Sequence, residues 1–229
     1  IGIACSSAVA IIQMVNGQEP TGLFFNKNFM AEAAVLVLIG LAVYRRFLIA
    51  LLALPAALLP VSRTAILTLA VIGLVALLRH RLRWTAVIAS LLLLYAALMV
   101  GVNGKSLGER WVIWSYTAQH LTLLGHGLGS FYIDFPSFIE GGFARRFDHA
   151  HNDLLEIAYE LGAVGVLLLG GLFIGAMRSA GGGMRYVLAG FVIESCFGFP
   201  LFLPVTGAVA ALCLGHLCGV RHRLRQLEP

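Results

Sequence analysis

Apolar runs separated by short polar breaks fill most of this chain. They cover residues 1–15, 29–44, 47–61, 64–78, 84–100, 154–176, 186–199 and 205–220. Runs of this kind predict membrane-crossing helices, eight in number with the first cut short at Ile1. The expected fold is therefore all-α, a polytopic integral membrane bundle of about eight spans. The 47–61 and 64–78 runs are short. At about 1.5 Å of rise per residue each reaches roughly 22 Å, against a hydrocarbon core of about 30 Å. Pro60 is expected to end the first of them just before Ser62 and Arg63. That would set Arg63 slightly below the membrane surface, in a protein-lined recess.

Composition agrees with this pattern. Of 229 residues, 59% are hydrophobic and 12% charged, and the mean hydropathy is +0.90. Soluble domains carry about 25% charged residues. The chain opens on Ile1 inside an apolar stretch, with no starting Met and no charged leader, so it is expected to be a piece of a longer protein. Cys5, Cys196, Cys213 and Cys218 lie in apolar segments without CxxC spacing. They are expected to be buried small hydrophobes, neither bridged nor metal-bound.

The net charge of +5 would suggest nucleic acid in a soluble protein, but here its placement matters more than its sum. Alternating the runs across a bilayer puts Arg45, Arg46, Arg79, Arg81, Arg83, Arg178, Arg185, Arg221, Arg223 and Arg225 on one face. By the positive-inside rule that face is cytoplasmic. Lys27, Arg63, Lys105, Arg110, Arg145 and Arg146 are then left on the outer face, where they need a reason other than topology. The outer face also carries the 26–28 loop with Asn28, the 200–204 turn and the long 101–153 loop. One membrane domain over 1–229, with 101–153 inserted between spans, is the expected organisation. A guanidinium at the depth of Arg63 either snorkels, pairs with an acid, or holds an anion.

Within the long loop, Ser106 and Glu109 have capping-box spacing. Trp111, Trp114 and Leu121 follow at helical intervals, which predicts a helix at the interface with its indoles in the headgroup layer. Arg110 on this helix faces either water or a site. The stretch 125–130, Gly-His-Gly-Leu-Gly-Ser, lacks a strand–turn–helix context and reads as a flexible turn.

Ionisable groups gather at 145–160: Arg145, Arg146, Asp148, His149, His151, Asp153, Glu156 and Glu160. Asn152 or Asp153 is expected to cap the helix that starts there, with Glu156 and Glu160 one turn apart on one face. Gly171 and Gly175 form a small-xxx-small pair suited to helix packing. His149 and His151 with Asp148 and Asp153 suit a metal only with a third His or Cys, which is missing. Arginines facing a lipid-side recess suit a phosphate or pyrophosphate. A histidine beside them can take a proton from an attacking hydroxyl. As a bare residue, His151 reads equally as a cap or interface histidine.

The stretches FFNKNFMAEAAVL, SRTAILTLA, GERWVIWSYTAQHLTLLGHGLGSF, HAHNDLLEIAYELGAVG and ESCFGFPLFLPVTGAVAALCLGHLCG stand in this order. As an ordered set the chain resembles the O-antigen ligase and polymerase superfamily, which includes the pilin-type protein O-oligosaccharyltransferases. The likeness runs over residues 22–220. It implies a metal-independent glycosyltransferase of the bacterial inner membrane, without cofactor, working on the periplasmic side. Such enzymes move a glycan from undecaprenyl diphosphate to a lipid A–core sugar, a growing polysaccharide or a protein hydroxyl. By motif position, Arg63 and Arg110 would bind the diphosphate, and His151 would be the base or would orient the acceptor. Arg145, Arg146, His149, Asn152 and Asn28 complete the expected substrate-binding set. The expected partners are this donor, one of these acceptors and membrane lipids, with no nucleic acid.

The rival reading is a glycan-lipid transporter or flippase, in which Arg, Glu and His line a path. Transporters carry broken helices in matched repeats and polar groups near midplane. Here the charges gather at one face and no repeat is seen.

Overall fold

The computed structural model describes residues 1–80, 105–138 and 147–227. The 84–100 run, Arg81, Arg83, Arg145 and Arg146 lie outside them. Every regular element among the described residues is helical: α1 (Gly2–Val15), α2 (Lys27–Val43), α3 (Phe47–Leu51), α4 (Leu54–Leu58), α5 (Arg63–His80), α6 (Lys105–Gln119), α7 (Ser130–Phe138), α8 (Asp153–Ser179), α9 (Gly182–Phe197) and α10 (Pro204–Leu227).

Helix α2 is the centre of the bundle. Its residues 30–36 are all buried, so it meets neighbours around its whole circumference rather than along one stripe. α4, α5 and α9 supply those neighbours. Small side chains make the close approach feasible. Ala31, Ala33 and Ala34 line α2, and a Cβ on Gly190 of α9 would come within 2.9 Å of Ile39 Cδ1. Close glycine contacts with α2 are thus made by Gly190 and by Gly183, whose Cβ would collide with Val43 Cγ1. Among the described residues a Cβ on Gly171 or Gly175 would meet nothing within 4 Å.

One helix among the described residues, α8, is long and apolar enough to cross a membrane, with a mean hydropathy of 2.0 over its best window and 28% of that window buried. A soluble core helix of such composition would be mostly buried. Instead Leu167, Leu168, Leu172 and Ile174 stand exposed on it. Gly2–Val15, Arg63–Val75 and Pro204–Gly215 are apolar but shorter.

The 47–61 run is not one helix. It forms α3 and α4, each of 5 residues, around the 52–53 turn. Pro55 lies in the first turn of α4; its ring would clash with the carbonyl of Leu51 and it has no N–H to donate, so a continuous helix breaks upstream of it. The expected break before Arg63 is also present, and α5 begins at Arg63 itself.

Helix α8 contains a sharp break. Gly162 has φ 65° and ψ −163°, a left-handed-side conformation open to glycine at little cost. The break lets the 120–127 loop dock backbone to backbone. The N–H of Ala163 donates to Leu123 O at 3.0 Å, Gly127 N–H to Glu160 O at 2.8 Å, and His126 N–H to Tyr159 O at 3.0 Å. The glycine-rich 125–130 stretch is therefore a fitted lock and not a flexible turn. A Cβ on Gly162 would collide with Leu123 O, and one on Gly125 with Glu160 O. Gly162→Ala is expected to cost at least about 2 kcal/mol, from the unfavourable φ plus the collision. Thermal melting in detergent checks it, and an unchanged midpoint would show that the lock bears no load.

Candidate functional site

The site is built where the 147–152 loop, the start of α8, the α9–α10 turn and α6 meet. Asn152 caps α8, its side chain accepting from Leu155 N–H at 3.0 Å, as the sequence predicts. One turn into the helix, Glu156 reaches back to the loop. Its Oε1 lies 2.8 Å from His149 Nδ1 and its Oε2 accepts from Ala150 N–H at 2.7 Å. A carboxylate only accepts, so the imidazole Nδ1 carries the proton and donates. Trp114 of α6 donates its indole N–H to Ala150 O at 2.8 Å, and Asp153 Oδ2 accepts from Leu201 N–H at 3.1 Å. Through these bonds the histidine loop is fastened to three elements.

Both histidines rest on one aromatic floor. His149 stacks on Phe199 with ring centroids 4.4 Å apart, and His151 meets the same ring edge-on at 5.1 Å. Phe29 of α2 packs against Phe199 at 5.2 Å, which brings the neighbouring Asn28 to the rim. His151 has φ 54°, a left-handed conformation that costs a non-glycine residue about 1 kcal/mol or more. The surrounding bonds hold it there, with its ring half-buried.

Arg110 faces this site and not water. Its Nη1 donates to Phe197 O at 2.7 Å, two residues before the Phe199 floor. Burial lowers the pKa of the guanidinium from its ordinary value, buried Glu32 opposes the shift, and Arg63 adds to it. Glu32 on α2 is thus the acid, and Arg63 on α5 the cation, whose charges act on Arg110. Gly198 permits this: a Cβ there would lie 3.2 Å from Glu32 Oε1. Behind Glu32, Glu194 of α9 is fully buried and makes no hydrogen bond among the described residues.

His149 differs electrostatically from an ordinary imidazole. Burial alone would lower its pKa, but the hydrogen bond and charge of Glu156, with Asp148 and Asp153 nearby, raise it overall. A raised folded-state pKa stabilises the fold when the group is protonated, fully below about 6.5. That contribution is lost as pH rises through the folded value. The melting midpoint should therefore fall as pH rises above about 6.5, with a shallower slope in His149→Gln. Parallel profiles for the two proteins would remove the ion pair from the account.

The O-antigen ligase family model matches residues 47–170, more than half of the chain and the stretch that holds Arg63, Arg110 and the histidine loop. The chain belongs to the O-antigen ligase family. No curated protein and no solved structure matches it. O-antigen ligase family proteins are membrane proteins with a general role in glycan transfer.

Other residues of this ligase-family chain fall out differently from the sequence reading. α6 begins at Lys105, so Ser106 lies inside its first turn and not at a cap. Trp111 is exposed, but Trp114 is bonded into the site. Leu121 follows the end of the helix. Lys27, one of the unexplained outer cations, pairs with Glu19 at 3.0 Å. Cys5, Cys196 and Cys213 are free as expected, yet Cys5 is exposed and the other two only partly covered.

Sequence reasoning did not assign roles to Glu32, Glu194 or Phe199, and it missed the bond from Glu156 to His149. A signal existed for the first two, because an acid inside an otherwise apolar run is expensive and marks function or a partner. No local pattern points to the Phe199 floor. Among the described residues no group of three or more His, Cys, Asp or Glu has the arrangement to hold a metal ion.

Proposed function

We propose that this protein is a glycosyltransferase that moves a glycan from undecaprenyl diphosphate to an acceptor hydroxyl on the periplasmic side of the bacterial inner membrane. The acceptor is a lipid A–core sugar, a growing polysaccharide or a protein. In this reading 1–229 is one membrane domain of about eight spans, and the 101–153 segment is its outer loop. The observation that supports it is the meeting of Arg110 and the His149–His151 loop around a single turn, 197–199, with the charge of Arg63 acting on Arg110. Arg63 and Arg110 hold the diphosphate, whose leaving requires positive charge. His151 takes the acceptor proton as the new glycosidic bond forms and the bond to the diphosphate breaks. His149, Asn152 and Asn28 line the substrate side, and Arg145 and Arg146, outside the described residues, are assigned to substrate binding by sequence.

His151 suits the base role better than His149. A base must be unprotonated at working pH, and the Glu156 pairing favours the protonated form of His149. His149 then serves as a fixed cation and a brace for the loop. Two guanidiniums already supply the charge that a divalent ion would provide, so transfer is expected to be metal-independent. The test is transfer by purified protein from a defined glycan-diphosphate lipid to candidate acceptors, with and without excess chelator. Transfer that survives chelation supports the reading. Binding of donor without transfer to any of the three acceptor classes would sink it, and loss restored by zinc or magnesium would end metal independence.

A further inference from the structure

An open groove of about 860 Å³ runs between α8 and α9, from the α8–α9 connection to the Asp153–Leu201 contact at the edge of the candidate site. Its walls are apolar, with Leu169, Phe173, Val192 and Ile193 among them. Gly170 lines it with open space beyond its Cα.

The two ends of the groove are chemically different. One end is lined by Arg178 and Arg185, which flank the short α8–α9 connection. Both are exposed. Arg185 Nε donates to Ala180 O at 2.9 Å, which orients the guanidinium and leaves its terminal nitrogens as donors. Arg178 has no hydrogen-bond or ion-pair partner among the described residues. The other end is closed by Asp153, Ser195 and Leu201, with Asp153 fully buried. An anionic headgroup is attracted at the arginine end and meets no lining cation at the other.

Length discriminates further. Arg185 and Ser195 are ten residues apart on α9, which is about 15 Å of helix. That is half of a hydrocarbon core of roughly 30 Å, or one leaflet. We infer that this groove binds one acyl chain of an anionic phospholipid from the cytoplasmic leaflet, with the lipid phosphate held by Arg178 and Arg185. Paired arginines beside an apolar slot match the phosphate bidentately while the slot takes the tail. The inference rests on the membrane orientation proposed above, and it does not depend on the transfer chemistry.

The test is lipid retention, read by native mass spectrometry of the purified chain offered equal phosphatidylglycerol and phosphatidylcholine. Wild type should retain phosphatidylglycerol by about tenfold or more, given roughly 1 kcal/mol per arginine at a lipid surface. The exposed pair Arg178→Ala and Arg185→Ala together should abolish the preference. Gly170→Phe, which fills the groove, should lower retention of both lipids. An unchanged preference in the double variant overturns the inference. So does retention of a short prenyl diphosphate that Gly170→Phe abolishes while phosphatidylglycerol binding is untouched, since that assigns the groove to the donor's tail. Transfer activity is not part of this readout. A wild type that prefers phosphatidylglycerol but transfers nothing would sink the proposed function and leave the lipid site standing.

Discussion

His151→Ala is expected to lose glycan transfer by about a hundred- to ten-thousand-fold while binding the lipid-linked donor nearly as well as wild type. The first number is the usual contribution of a positioned general base. The second follows from the proposed separation of roles, in which the arginines and not the histidine hold the donor's charge. Structure sharpens the comparison with its neighbour. His149 is fixed by Glu156 at 2.8 Å, and His151 is held at φ 54° over Phe199. His149→Ala removes the brace and should cost less transfer than His151→Ala, with a lower melting midpoint. Donor binding and transfer must be measured in both variants. Equal, near-normal transfer would reduce the loop to a helix cap. Lost donor binding in His151→Ala would make that residue a phosphate ligand.

Arg63→Lys should cut transfer by about 10- to 100-fold although the positive charge is retained. Hydrogen bonds to charged groups are worth about 1.5–3 kcal/mol each. A lysine ammonium cannot reproduce the planar two-point grip on a phosphate. Arg63 is half-buried at the first residue of α5. The variant should remain folded, because among the described residues no hydrogen bond hangs on Arg63 as Phe197 O does on Arg110. Near-normal transfer in Arg63→Lys would mean that charge alone is needed there.

Some of this architecture could be read from residue order and some could not. Asn152 as the α8 cap, the break before Arg63 and the placement of ionisable groups near one turn are local features, and each follows from side-chain chemistry at fixed spacing. The division of the 47–61 run was also legible, since Pro55 stands in plain view. Attention to Pro60 alone obscured it. The break at Gly162 is of another kind. A glycine inside an apolar run is ordinary, and its strain is sustained by backbone groups of Leu123 and Gly127, some 35 to 40 positions earlier in a loop that looked free. The same holds for Trp114, whose partner Ala150 is 36 residues away. Periodicity placed that indole among lipid headgroups. Long-range pairing decided otherwise. Glu32 shows an intermediate case: its burial cost was visible in the sequence, but its partnership with Arg110 needed α2 and α6 to be brought together.

The interruption at Gly162 also bears on how the chain enters a membrane in the first place. All three acids of the helix, Asp153, Glu156 and Glu160, precede it, and the residues after it are uncharged until Arg178. Insertion machinery that weighs hydrophobicity along a nascent helix therefore meets two unlike pieces. The acid-bearing piece carries a penalty of about 2.5–3.5 kcal/mol for each charge placed at bilayer centre, whereas the second is uncharged and mostly apolar up to Arg178. The cost of entering lipid is thus concentrated in the acid-bearing turns, and the break at Gly162 divides them from the piece that can enter without it.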